Sequence, residues 1–251
     1  MNRREFSKSL LAALTSYALF ESLFFTNSFS KPIRQKANYW LNRLNEYCND
    51  LNKNSITPGE WQLQVEGLFN EIYIGDVLKF IDFENLIKGF EFPDLGVNTR
   101  PVKFPELEGL PEKTIYHNKI FGMNKGRAII PHGHSNMASA HLILSGEMHL
   151  RNYEKLGEED NSLIIKPTVD KIIKPGETSS ISDEKNNVHW FVANTDSAFT
   201  LDIIMLDLIG KQYDIHNLDI SEKEDLSDGK MRVPILDVKT ALSKYGKETH
   251  H

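Results

Sequence analysis

The sequence predicts an all-β domain, a sandwich or barrel over residues 112–210, preceded by an α-helical extension. Three observations predict it. Apolar residues recur at three- and four-residue steps before residue 90 and at two-residue steps after Pro111. The segments with the shorter period are brief and separated by Gly, Asn and Asp turns, the pattern of packed antiparallel sheets. Between the two regions, Glu91 to Pro111 carries Pro93, Pro101, Pro105 and Pro111 and reads as an extended linker.

Residues 1–30 read as a targeting segment. Asn2-Arg3-Arg4-Glu5-Phe6-Ser7-Lys8 resembles the twin-arginine export motif of bacteria, and an apolar run follows from Leu10 to Phe20. That run is shorter than the ~20 apolar residues that cross a bilayer, so it is not a membrane anchor. The resemblance implies the twin-arginine export machinery as a partner and a periplasmic or secreted location. Residues 31–111 form the helical extension and linker. Tyr39, Leu41, Leu44 and Tyr47 mark a first helix, and Thr57-Pro58-Gly-Glu60 supplies an N-cap, a proline at the first position and a glutamate at the third. Trp61, Val65, Leu68 and Phe69 then share one apolar face, and a third helix is expected from Ile74 or Asp76 through Ile87, ending at Gly89.

Strands are expected at Thr114–Phe121, Arg127–His134, Met137–Leu144, Glu147–Tyr153, Ser162–Ile165, Asp170–Ile173, Ser179–Ile181, Val188–Ala193 and Phe199–Leu208. Residues 211–251 read as a C-terminal tail, polar and acidic from Lys211 to Lys230, with a short strand and helix between Val233 and Tyr245.

Composition narrows the function classes. The chain has 251 residues, 40% of them hydrophobic, which suffices for a sizeable core. Its net charge of −6 disfavours nucleic acid as a partner. The single cysteine, Cys48, excludes an intrachain disulfide and a cysteine-rich zinc site. There is no Gly-x-Gly-x-x-Gly, P-loop or Gly-x-Ser-x-Gly motif. A small-molecule substrate is the expected partner, and a homodimer is compatible with the chain.

Chemistry concentrates in Gly126-Arg-Ala-Ile-Ile-Pro-His132-Gly-His134-Ser-Asn-Met-Ala-Ser-Ala-His141-Leu-Ile-Leu-Ser-Gly146, which holds three of the nine histidines. His132 and His134 are two apart, so on a strand they face the same way and can hold one metal ion. Ser139, His141 and Ile143 share a face if the next run is also a strand. The bland alternative is a pair of solvent-facing histidines with a buried structural one. His117, His149, His216, His250 and His251 take that reading, with His149 turned outward between Met148 and Leu150.

The stretch resembles the first motif of the cupin superfamily. Gly126, His132, His134 and Gly146 stand at its positions, but its glutamate position falls on Ser139. The second motif supplies a further histidine, and His189 in Asn186-Asn-Val-His-Trp-Phe-Val-Ala-Asn194 fits. That motif reads Glu184-Lys-Asn186 where the family has Pro-x-Gly, and Asn replaces Gly mildly where a turn needs positive φ.

The resemblance implies a cupin jelly roll (a double-stranded β-helix) over 112–210. It implies a divalent transition metal on His132, His134 and His189, most simply Fe(II), with Zn, Mn, Ni or Cu as alternatives. His141 shares the face of Ser139 and is a candidate fourth ligand or catalytic acid/base. The site looks like that of cupin dioxygenases with three-histidine iron centres, thiol dioxygenases among them. The implied function is therefore a non-haem iron oxygenase acting on a small anionic bidentate substrate. A non-redox metal isomerase or hydrolase and a non-catalytic small-molecule-binding cupin stay open, because jelly rolls host all three.

The export reading has a direct check. Replacing Arg3 and Arg4 together by Lys should leave the protein in the cytoplasm in cell fractionation, because an ammonium does not reproduce paired guanidinium groups. Unchanged export contradicts the twin-arginine reading.

Overall fold

The computed structural model describes residues 31–247 other than 106, 108, 110 and 112. The targeting segment, His250 and His251 lie outside the described residues.

Helix α1 (Lys31–Asn52) buries Ala37, Trp40, Leu41, Leu44, Cys48 and Leu51, a stripe at three- and four-residue steps. Tyr39, expected on that stripe, is 55% exposed. Helix α2 (Pro58–Asn70) starts where the sequence places it. Glu60 N–H donates to Thr57 Oγ1 at 3.2 Å and Thr57 N–H donates to Glu60 Oε2 at 2.8 Å, a complete capping box. The expected third helix is two, α3 (Ile74–Phe80) and α4 (Phe83–Ile87). Asp82 breaks it by taking φ 51°, a left-handed conformation that Asp tolerates better than most residues.

The strands are β1 (Asn98–Pro101), β2 (His117–Met123), β3 (Ala128–Ser135), β4 (Ala138–Ser145), β5 (Met148–Glu159), β6 (Ser162–Ile173), β7 (Thr178–Ile181), β8 (Val188–Ala193), β9 (Ala198–Met205), β10 (Asp214–Leu218), β11 (Glu224–Asp225) and β12 (Met231–Leu236). They make two antiparallel sheets, in the orders β1-β2-β9-β4-β7 and β10-β3-β8-β5-β6-β12-β11. Within them β2 to β9 form the two four-stranded halves β2-β9-β4-β7 and β3-β8-β5-β6, an eight-stranded jelly roll. The mostly β fold with helices ahead of it is the expected one.

Three segments differ from expectation. Ser162–Ile165 and Asp170–Ile173 belong to one strand, because a bulge absorbs Pro167 and Thr168: Tyr153 pairs with Pro167 and Asn152 with Val169. The expected linker contains β1, whose Pro101 is tolerated at a sheet edge. Residues 211–230, expected as polar tail, contain β10 and β11, while the short strand and helix expected between Val233 and Tyr245 are present. β10 pairs with β3, β12 pairs with β6 and with β10, and helix α5 (Val238–Tyr245) follows. Leu218, Met231 and Val233 fill a second core with Tyr153, Leu163, Ile165 and Val188. Those few apolar residues are scattered among charges, so their periodicity is weak in the sequence.

Helix α2 and Phe83 of α4 pack on the outer face of the five-stranded sheet, and α1 packs on α2 and α3. Phe83 and Phe90 pack edge-on against Phe199, with ring centroids 5.5 and 5.1 Å away. Gln62 is buried on α2 and joins the layers: its amide donates to Ser180 Oγ at 3.0 Å and its carbonyl accepts from Ser182 Oγ at 2.6 Å. Gly146 closes the turn into β5 at φ +74°, where a Cβ would meet Ala198 Cα at 2.7 Å, so no other residue fits.

The capping box makes a stability prediction. Thr57→Ala should lower unfolding stability by about 1 kcal/mol, read as a reduced urea midpoint at unchanged slope.

Candidate metal centre

A register shift in β3 builds the site. Ile129 pairs with Phe191 on β8, yet His132 pairs with His189, so β3 spends one extra residue at Ile130-Pro131. Pro131 brings no N–H to the ladder and suits a bulge. Ile129 and Phe191 belong to the inner core, while Ile130 packs outside against Ala241 and Tyr245. Without the extra residue His132 and His134 would alternate outward. With it they share the inner face with His189.

The three rings converge. His189 Nε2 lies 3.1 Å from His132 Nε2 and 3.2 Å from His134 Nε2. One ligand atom from each of the three lies within 4.8 Å of the others. Two nitrogens each ~2.1 Å from one ion stand about 3.0 Å apart at a right angle and about 3.4 Å apart at a tetrahedral angle. The two separations from His189 therefore fit ligands of a single first-row metal. His132 Nδ1 contacts Ile130 O at 2.7 Å, so it carries the proton and Nε2 keeps its lone pair. His134 Nδ1 contacts Met137 Sδ at 2.8 Å, which places its proton likewise. Lone pairs facing one another at such distances repel, a cost that a proton on His189 Nε2 or a cation among the three nitrogens removes.

Protonation does not compete. Burial lowers His132 to a pKa of about 4 and holds His134 and His189 well below the ordinary histidine value, and the neighbouring imidazoles add to the shift in the latter two. His134 and His189 are buried, whereas His132 is half-buried and marks the accessible side.

His141 points inward beside the cluster. Its ring centroid is 4.9 Å from that of His189, but its nitrogens are not among the convergent set. Nε2 contacts Ser139 Oγ at 3.2 Å and lies 3.7 Å from Asp202 Oδ2. Burial first, then the nearby His132 imidazole, lowers His141 to about 3, and burial raises Asp202 to about 8. The pair is thus a carboxylic acid beside a neutral imidazole, not an ion pair. Asp202 faces His141 directly across the β4–β9 ladder, a partner that only the register discloses.

Asn187 also has no sequence signal. Its amide accepts from His134 N–H at 3.1 Å and donates to His134 O at 3.0 Å, replacing ladder bonds beside the bulge. Asn186, the substitute for the motif glycine, takes φ 52° as that reading requires. The bland histidines differ. His149 turns outward to Arg151 and Asp170. His216, placed in a tail by the sequence, is buried on β10 opposite Gly133.

No family model matches the chain, and no curated protein matches it. Solved structures show slight likenesses. KdgF from Halomonas sp. is 15% identical with a TM-score of 0.32, over 47% of this chain and 86% of that one. A cupin superfamily protein from Desulfitobacterium hafniense is 13% identical with a TM-score of 0.31, over 49% and 88%. Procruciferin, an 11S globulin from Brassica napus, is 12% identical with a TM-score of 0.32, over 41% of this chain and 23% of its own length. Likeness this slight carries no argument; the jelly roll rests on strand order and register.

The depressed histidines make a pH prediction for the metal-free protein. Below about pH 6.5 the unfolded chain protonates His132, His134, His141 and His189 while the fold keeps them neutral. The unfolded state then binds more protons, so stability falls as pH falls. Asp202 opposes one of the four, because the fold holds its proton up to about pH 8. The thermal midpoint should drop between pH 6.5 and pH 4. The drop should be shallower when His132 and His134 are both replaced by Asn; equal slopes contradict the account.

Proposed function

We propose that the chain is a metal-dependent cupin enzyme, a non-haem iron oxygenase or dioxygenase acting on a small anionic bidentate substrate after export to the periplasm or exterior. The observation that carries the metal reading is the convergence of three neutral imidazoles with no carboxylate among them. Bound there, a divalent transition metal would supply Lewis acidity and, if it is redox-active as Fe(II) is, electron transfer to oxygen.

The chain's own residues do the rest. Three neutral donors leave the full +2 charge on such an ion, which favours an anionic substrate. Ile143, Met148, Leu150 and Phe191 line the inner face next to the site and lower the local dielectric, strengthening that attraction. Ser139 stands where the resemblance expects an acid, and its hydroxyl contacts His141 instead. His141 is neutral and inward-facing, so it can accept a proton from the substrate or orient it.

One observation favours a second reading. The carboxylic acid of Asp202 lies 3.7 Å from the imidazole of His141, and an isomerase or hydrolase with Zn or Mn would use two such neutral groups as acid and base without oxygen.

The readings separate on one assay. Iron-loaded protein should consume oxygen when given small carboxylates or thiols. His141→Ala should keep its metal and lose turnover by about 100-fold or more. Turnover that proceeds anaerobically with zinc favours the second reading, and unchanged turnover in His141→Ala reduces His141 to a packed core residue.

A further inference from the structure

We propose that Asn152 is the positioning residue that accepts the Nδ1 proton of His189 and thereby turns the Nε2 lone pair of His189 toward His132 and His134. The purpose of this arrangement rests on the metal reading above, whereas its test rests on hydrogen bonding alone.

Asn152 stands directly opposite His189 on the β5–β8 ladder, so the two side chains leave the sheet on the same face. Directly opposed residues have Cβ atoms about 4.5–5.5 Å apart, within reach of an amide and a ring. Both are interior, at 1% and 4% exposure. Asn152 Oδ1 and His189 Nδ1 are each buried without a hydrogen-bond partner in the protein. One is an acceptor, and the other is a donor if it carries the ring proton. Burying each alone is costly, and pairing them would satisfy both.

The rest of the site says where that proton belongs. His132 and His134 have Nδ1 engaged, on Ile130 O and Met137 Sδ, and both present Nε2 inward. His189 Nε2 sits 3.1 and 3.2 Å from those two atoms. A proton on His189 Nε2 would occupy the centre of the cluster. A proton on Nδ1 leaves three lone pairs converging, and Asn152 Oδ1 is the acceptor opposite it. The amide's other end is already used, since Asn152 Nδ2 donates to Ser179 Oγ at 3.2 Å. Ser179 in turn pairs with His141 across the β4–β7 ladder, so Asn152 ties the two sheets together at the level of the site. Ligand histidines are held this way through their second nitrogen, and loss of such a partner commonly weakens metal binding 10- to 100-fold.

The experiment has a readout that needs no metal. Long-range 1H–15N spectra of the metal-free wild type should show His189 protonated on Nδ1. Asn152→Leu should shift it to a mixture or to Nε2, and Asn152→Asp, which keeps an acceptor, should restore Nδ1. Asn152→Leu should also raise the zinc dissociation constant 10- to 100-fold. A purely structural Asn152 would lose stability and keep both the His189 tautomer and the zinc affinity. His189 protonated on Nε2 in the wild type overturns the proposal even if no variant folds. The expected tautomers in a protein that binds no metal uphold the role of Asn152 and sink the metal reading instead.

Discussion

One extra residue in β3 is the constraint on which the site depends. A strand alternates its faces strictly, so Ile129 in the core and His132 in the core are incompatible without a break between them. The bulge at Ile130-Pro131 is that break. It keeps Ile129 packed on Phe191, lets Ile130 pack against Ala241 and Tyr245 outside, and delivers His132 opposite His189. Asn187 then replaces main-chain bonds beside it, gripping both the N–H and the carbonyl of His134. The local disorder of the ladder is thus confined to the residues that the cluster needs.

Around that point the jelly roll divides its interior. One part is apolar, with Met123, Ile143, Leu150 and Phe191. The other is a polar layer of histidines with Ser139, Asn152, Ser179 and Asp202, all buried except the half-buried His132. Buried polar groups cost stability unless paired, and here the pairing is partial within the protein. The layer lies beside the apolar core, and helix α2 backs the five-stranded sheet through Gln62, Ser180 and Ser182. The same burial keeps four imidazoles neutral, which suits them as donors to a cation or a substrate proton. Stability and chemistry therefore meet in one set of residues.

Much of this was legible before any coordinates. The change of period after Pro111 located the double sheet, and Thr57-Pro58-Gly-Glu60 located α2, because capping and alternation are local signals. His132, His134 and His189 were legible through spacing that matches a known motif. What was not legible is non-local. Asp202, Asn152 and Ser179 owe their roles to cross-strand register, which depends on turns and bulges far away in the chain. Strand β10 was missed because charged and polar residues surround its few inward apolar ones, whereas the short strand and helix expected between Val233 and Tyr245 are β12 and α5. The break in the third helix was missed because Asp82 gives no warning that it will take a left-handed conformation.

The central claim is that His132, His134 and His189 bind one metal ion together. X-ray absorption on protein loaded with one equivalent of zinc or iron tests it most directly. The account predicts a first shell with three imidazole nitrogens at ~2.0–2.2 Å and a clear loss of imidazole scattering in His189→Ala. A shell made of water and carboxylate oxygens, or one unchanged by that substitution, would contradict it.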